Sequence, residues 1–214
     1  MSFKKNKYIV IKNAVSKELV NFVYRYFLMK REVARTLFDT TTIPLFSQYF
    51  GTWADNQVPN TYSHYSDIAM ETLLEKLLPV MEKHTGLKLS PTYSYARIYK
   101  NGDTLFRHKD RYSCEVSTTM NLGGERWPIF VEPDSSKGRF EDKKYISDNT
   151  PGIKIDLEPG DMLVYSGCEI EHWREKFEGI NCGQVFLHYN NIDNMKEDNK
   201  FDGRPYLGLP SSFK

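Results

Sequence analysis

"YARIYKNGDTLFRHKDR", residues 95–111, is the stretch on which the fold turns. Its first part alternates aromatic and aliphatic residues up to Tyr99, "NGD" supplies the residues of a tight turn, and "TLFRH" resumes an extended pattern. The stretch therefore reads as two strands, with His108 and Asp110 two residues apart where the second strand ends. Strand side chains alternate between faces, so these two are expected to point the same way and to reach one ion. A lone HxD also fits an ordinary polar strand end, and the metal reading needs a third ligand.

"GDMLVYSGCEIEHWREKFEG", residues 160–179, offers one. A Gly-Asp turn leads into an apolar strand, a short loop follows, and then His172. Two imidazoles and one carboxylate on one face of an ion leave the other positions open for a cosubstrate and O₂, the arrangement of non-haem Fe(II) oxygenases. The joint pattern is far more specific than HxD alone. The remaining histidines have plainer readings: His64 lies in a loop, His84 at a helix end, and His188 on a strand as a polar tip or pocket liner.

Outward from these motifs, "TYSYARIY", "TLFRH", "EVSTTMNL", "WPIFVE", "GIKIDL", "DMLVYS" and "QVFLHY" follow one another, separated by turns rich in Gly, Pro, Asn and Asp. Seven or eight short strands in this span predict a sandwich or jelly-roll barrel. Before them, "YIVIK" (8–12) reads as a strand. Ser16 reads as the N-cap of a helix running to about Arg35, and 67–84 as a second helix ending at Gly86. Residues 39–66 carry no period and read as a long structured loop, a kind of segment that is more often functional than idle. The expected class is mainly β with flanking α-helices: a double-stranded β-helix buttressed by N-terminal helices. One domain is expected over 1–214, with 1–88 supporting, 89–190 as the jelly-roll core, and 191–214 as a polar tail over the surface.

The 214 residues carry 29 basic and 28 acidic side chains, a balance that argues against a nucleic-acid face. Three widely spaced cysteines, Cys114, Cys168 and Cys182, fit no disulfide framework and no zinc knuckle. No apolar run is long enough for a signal peptide or a membrane span, so a cytoplasmic protein without a membrane partner is expected.

Residues 93–190, through "YARIYKNGDTLFRHKDR", "STTMNLGGERWPIFVEP", "PGDMLVYSG", "EHWREKFEG" and "CGQVFLHY", resemble the Fe(II)/2-oxoglutarate-dependent dioxygenases, most closely the prolyl 4-hydroxylase-like branch. The resemblance implies that His108, Asp110 and His172 hold the iron and that Tyr99 hydrogen-bonds the cosubstrate. It implies hydroxylation of a C–H bond with release of succinate and CO₂, ascorbate as reductant, and proline in a peptide or protein as substrate. Other members of the superfamily oxidise free amino acids, nucleobases or small metabolites, and a non-catalytic jelly-roll binding module is the reading from a different class.

The sequence departs from the branch at one place. A Lys or Arg about ten residues after the distal His binds the far carboxylate of 2-oxoglutarate in most members; here "NCGQ" (181–184) stands there, and no Lys or Arg lies between Phe177 and Asp193. A buried carboxylate needs a cation, for which the arginine fork is suited. Arg174 is the preferred candidate, sharing the parity of His172. Arg126, where JmjC-type members carry a lysine, is the other, and His188 and Gln184 follow if both fail. The charged segment 134–150 is read as a lid, a peptide clamp or a solvated loop. Tyr62, Tyr65, Tyr93, Tyr95 and Trp173 are candidates for a groove or for core.

Overall fold

Two antiparallel sheets face one another in the computed structural model, which describes residues 2–44, 47–142, 144–195 and 197–214. The strands are β1 (Tyr8–Ile11), β2 (Tyr62–Tyr65), β3 (Leu89–Tyr99), β4 (Leu105–His108), β5 (Val116–Gly124), β6 (Ile129–Glu132), β7 (Arg139–Glu141), β8 (Lys144–Ile146), β9 (Ile153–Ile155), β10 (Met162–Ser166), β11 (Glu171–Arg174) and β12 (Cys182–Asn191). The major sheet runs β1-β10-β5-β12-β3-β2, the minor sheet β4-β11-β6-β9, and β7 and β8 form a separate hairpin.

After the four-residue helix α1 (Phe3–Asn6), two long helices cover the outer face of the major sheet. The helix α2 (Lys17–Asp39) packs on β5, and α3 (Ile68–Thr85) on β3 and β12. Their starts are set by side-chain caps: Ser16 accepts from Leu19 N–H at 3.2 Å and Asp67 from Met70 N–H at 3.2 Å. Gly86 ends α3 at a φ of 70°, a left-handed conformation that glycine adopts without strain. Phe27 and Leu74 are both 0% exposed, each stabilising by roughly 2–3 kcal/mol through transfer from water. The central strands are therefore buried on both faces. Ala96, Ile98, Val116, Met120, Val185 and Leu187 meet the helices, while the alternate residues line the space between the sheets.

Two segments differ from their sequence reading. The 39–66 stretch contains β2, which extends the major sheet beside β3. The C-terminal segment does not simply lie over the surface: Asp202 and Arg204 are 4% and 3% exposed. Arg204 pairs with Glu71 at 2.9 Å, both buried, and buried Asp202 with the half-exposed Arg111 at 2.6 Å, so complementary charges hold the tail in place. Among the described residues, no helix is long and apolar enough to cross a membrane.

Candidate metal centre and cosubstrate cradle

His108 and His172 are direct cross-strand partners on β4 and β11, which brings their ring centroids to 4.2 Å. Asp110 lies just beyond the end of β4, so strand parity alone does not place it. Its N–H donates to the Gly167 carbonyl at 2.8 Å, turning the chain so that the carboxylate faces both rings. Gly167 is required there, since a Cβ would sit 2.5 Å from Asp110 Oδ2 and 2.3 Å from the Cys114 carbonyl.

Asp110 Oδ1 lies 3.5 Å from His108 Nε2 and 3.4 Å from His172 Nε2. Ligands at about 2.1 Å from one ion are roughly 3.0 Å apart when octahedral and 3.4 Å when tetrahedral, so these atoms are close to ligating separation. Each Nδ1 is engaged by a backbone carbonyl, Phe106 O at 2.7 Å and Ile170 O at 3.1 Å, which leaves each Nε2 lone pair for the metal. Behind them, Ser117 Oγ donates to Asp110 Oδ2 at 3.0 Å and meets His188 Nδ1 at 2.9 Å, fixing the carboxylate's orientation.

Burial opposes ionisation of Asp110, yet the His172 and His108 rings outweigh it and hold the carboxyl well below the usual range. Burial would lower the His108 imidazole, but Asp110 carries it above its ordinary value. His188 is pushed down to about 4 by burial, only partly opposed by Asp110, and is neutral at pH 7. Cys114 and His188 also lie near Asp110 within ligating range of one another.

Arg174, 1% exposed, enters the space between the sheets as its parity with His172 predicts. Its guanidinium donates to the Trp127 carbonyl, and its Nη2 to Thr119 Oγ1 and Gln184 Oε1, both at 3.2 Å. Among the described residues its Nε has no partner, and burial pushes its pKa down with no carboxylate among the causes opposing it. Tyr99 packs on Trp127 at 4.6 Å, and its hydroxyl accepts from Arg97 at 3.1 Å. Burial raises the Tyr99 pKa above 10.0 although Arg97 and Arg174 oppose it, so the hydroxyl remains a neutral donor.

Arg126 is corrected. Its side chain is 71% exposed and pairs with Glu158, because the chain leaves β5 through Gly123 and Gly124 before reaching it. The 134–150 segment bonds the outer face of the minor sheet through Tyr145–Glu171 (3.0 Å) and Arg107–Thr150 O (2.8 Å). Tyr93 and Tyr95 line the cavity, whereas Tyr62 joins the helix-side core and Trp173 stacks outside on Phe130.

Sequence reasoning missed three residues. Arg97, Asp55 and Gln57 line the same cavity of about 310 Å³ as the two histidines. Arg97 had a signal, since it shares strand parity with Tyr95 and Tyr99. Asp55 and Gln57, in an irregular segment, had none beyond the length of their loop.

No model of a known family and no curated protein matches the chain. Solved structures do. A Pseudomonas putida prolyl-4-hydroxylase superposes with a TM-score of 0.54 at 14% identity, over 88% of this chain and 95% of that one. SnoN, a non-haem alpha-ketoglutarate-dependent epimerase of nogalamycin biosynthesis, gives 0.61 at 12% identity over 88% and 80%. EctD from S. alaskensis, with 2-oxoglutarate and 5-hydroxyectoine, gives 0.59 at 12% over 97% and 81%. The chain has the jelly-roll fold of the Fe(II)/2-oxoglutarate-dependent dioxygenases, the prolyl 4-hydroxylase-like branch among them.

Proposed function

We propose that this chain is an Fe(II)- and 2-oxoglutarate-dependent dioxygenase that hydroxylates a C–H bond. The observation that carries the reading is the convergence of His108, Asp110 and His172 beside a cavity, with Arg174 buried on the same strand as His172 and no carboxylate among the described residues to neutralise it. The donor set fits Fe(II), and the uncompensated guanidinium fits the far carboxylate of a dicarboxylate.

In this reading the three ligand side chains hold the metal on one face, with both imidazoles fixed by carbonyls and Asp110 fixed by Ser117. Arg174 binds the cosubstrate's distal carboxylate, and the neutral Tyr99 hydroxyl adds a hydrogen bond. Tyr93, Tyr95 and Phe186 line the cavity and give it an apolar wall. The bound metal supplies O₂ activation coupled to decarboxylation of 2-oxoglutarate to succinate and CO₂, with ascorbate keeping iron reduced. A cytoplasmic location suits three unpaired cysteines.

Proline in a peptide or protein is the substrate the resemblance implies, and Tyr93 and Tyr95 in the cavity wall suit a pyrrolidine ring. A small carboxylate-bearing metabolite is the second reading, favoured by Arg97 in the same cavity. Succinate release with Fe(II), ascorbate and 2-oxoglutarate, run with and without a proline-rich peptide, is the test. Turnover that needs all components supports the dioxygenase, and peptide stimulation supports the prolyl reading. Absence of succinate under every condition would leave a binding module.

A further inference from the structure

We propose that Arg97 recognises the substrate, and that the substrate is a small molecule whose carboxylate displaces Asp55 from the guanidinium; this rests on the dioxygenase reading and names its substrate class. The Arg97 side chain is 2% exposed and faces the cavity shared with His108 and His172. Its Nε is buried with no partner among the described residues. Its single carboxylate partner among the described residues is Asp55, which also accepts from Tyr95 Oη.

That partner is not part of the sheet. Asp55 and Gln57 lie in residues 53–61, between the isolated bridge at Thr52 and the start of β2, where no regular element holds the backbone. Asp55 is itself 16% exposed. A buried cation needs an anion, and here a loop supplies it from the cavity's rim.

Gln57 shows how near this site is to the metal ligands. Its Oε1 accepts from both Arg97 guanidinium nitrogens at 3.2 Å, and its Nε2 lies 3.5 Å from His108 Nε2. An amide spans roughly 2.3 Å between its nitrogen and oxygen, so the guanidinium is within about 9 Å of a metal-ligating nitrogen. The loop thus places the Gln57 amide between Arg97 and the metal position, with the Asp55 carboxylate beside it on the guanidinium. A substrate that reaches the metal must take that space.

Charge then selects the substrate. Withdrawal of Asp55 leaves a guanidinium in a desolvated cavity, which a neutral molecule does not compensate and a carboxylate does, in the bidentate geometry arginine favours. The short span requires the oxidised carbon to lie only a few bonds from that carboxylate, the scale of an amino acid.

The test is equilibrium binding to the protein loaded with Ni(II) and 2-oxoglutarate. The probes are the twenty L-amino acids, their carboxamides, and an internal-proline peptide blocked at both ends. At least one free acid should bind roughly 10-fold or more tighter than its amide. Asp55→Ala should tighten that acid several-fold, because the competing internal carboxylate is gone. Arg97→Gln should abolish the preference for acid over amide, and Arg97→Lys should keep part of it. The proposal is overturned if no acid outbinds its amide, if the blocked peptide outbinds every acid, or if Asp55→Ala weakens binding. Succinate formation by the unaltered protein without any probe judges the dioxygenase reading separately, since the titrations need no turnover.

Discussion

Replacing Arg174 with Gln removes the buried cation proposed to hold the far end of 2-oxoglutarate. The guanidinium is fully buried, its Nε is unsatisfied, and no carboxylate contacts it among the described residues. An arriving carboxylate therefore gains a charge-assisted pair without displacing an internal one, worth about 3 kcal/mol. At 1.36 kcal/mol per decade this predicts a rise of roughly 10²-fold in KM for 2-oxoglutarate. Metal affinity, measured by titration with Ni(II), should change less than about 2-fold, because Arg174 contacts none of the three ligands. Arg174→Lys keeps the charge and loses the fork, so an intermediate rise of about 10-fold is expected.

Stability supplies an independent check on the same residue. Thr119 Oγ1 and Gln184 Oε1 share their own hydrogen bond at 3.0 Å and survive the loss of the guanidinium. Removing an uncompensated buried cation relieves its desolvation and offsets the lost bond to the Trp127 carbonyl, so Arg174→Gln should shift the Tm of the cosubstrate-free protein by no more than a few degrees. A KM change below about 3-fold, or a large fall in Tm, would refute the reasoning and turn attention to Arg97 as the second buried arginine of the barrel.

The other expectations bear on the supports of the site. Restoring a cation from the opposite wall, as Arg174→Gln with Gln184→Arg, should recover most of the lost 2-oxoglutarate affinity, read as KM. Gly167→Ala should weaken Ni(II) binding about 10-fold or more and also lower the Tm, because its Cβ intrudes on Asp110 and on the Cys114 carbonyl. Asp67 accepts from Tyr26, His64 and the α3 N-terminus and pairs with Lys30. Burial opposes its ionisation, but His64 and Lys30 hold its pKa below the ordinary value. Its contribution is thus present above about pH 4 and lost as pH falls below that. The Tm gap between wild type and Asp67→Asn should be constant from pH 8 to 5 and shrink towards pH 2. Deleting residues 201–214 strands Glu71, which accepts from Arg204, Ser94 N–H and Gly208 N–H. The loss should be about 3–5 kcal/mol, a fall of roughly 10 °C in Tm.

How legible all this was depended on whether a feature is local. The helices declared themselves through Ser16, Asp67 and Gly86 at their ends, and the strands through alternation and turn residues. His108 and Asp110 stand two apart, and the distal His172 follows a recognisable strand, so the meeting of these groups could be anticipated. The reason given for Asp110 was incomplete, since its placement depends on Gly167, 57 residues away. Arg126 misled because position relative to a strand does not reveal that a Gly-Gly exit carries the side chain outside. The buried pairs of the tail, and the loop carrying Asp55 and Gln57, depend on contacts between distant segments with no periodicity to betray them.

On the proposed assignment of Arg174, the cosubstrate's cation has moved from one wall of the sandwich to the other. In the resembling branch a cation projects from the strand that holds "NCGQ", here the start of β12 in the major sheet. This chain has Cys182 and Gln184 there instead, with Arg174 on β11 of the minor sheet. Its guanidinium crosses between the walls and comes within 3.2 Å of Gln184 Oε1, the place a β12 cation would occupy. A neutral side chain on β12 is then necessary, because two guanidiniums in that desolvated space would repel one another. With Arg97 neutralised separately by Asp55, Arg174 is left as a buried guanidinium with no carboxylate partner among the described residues. The requirement is thus on charge at a point in space, and either wall of the sandwich can meet it.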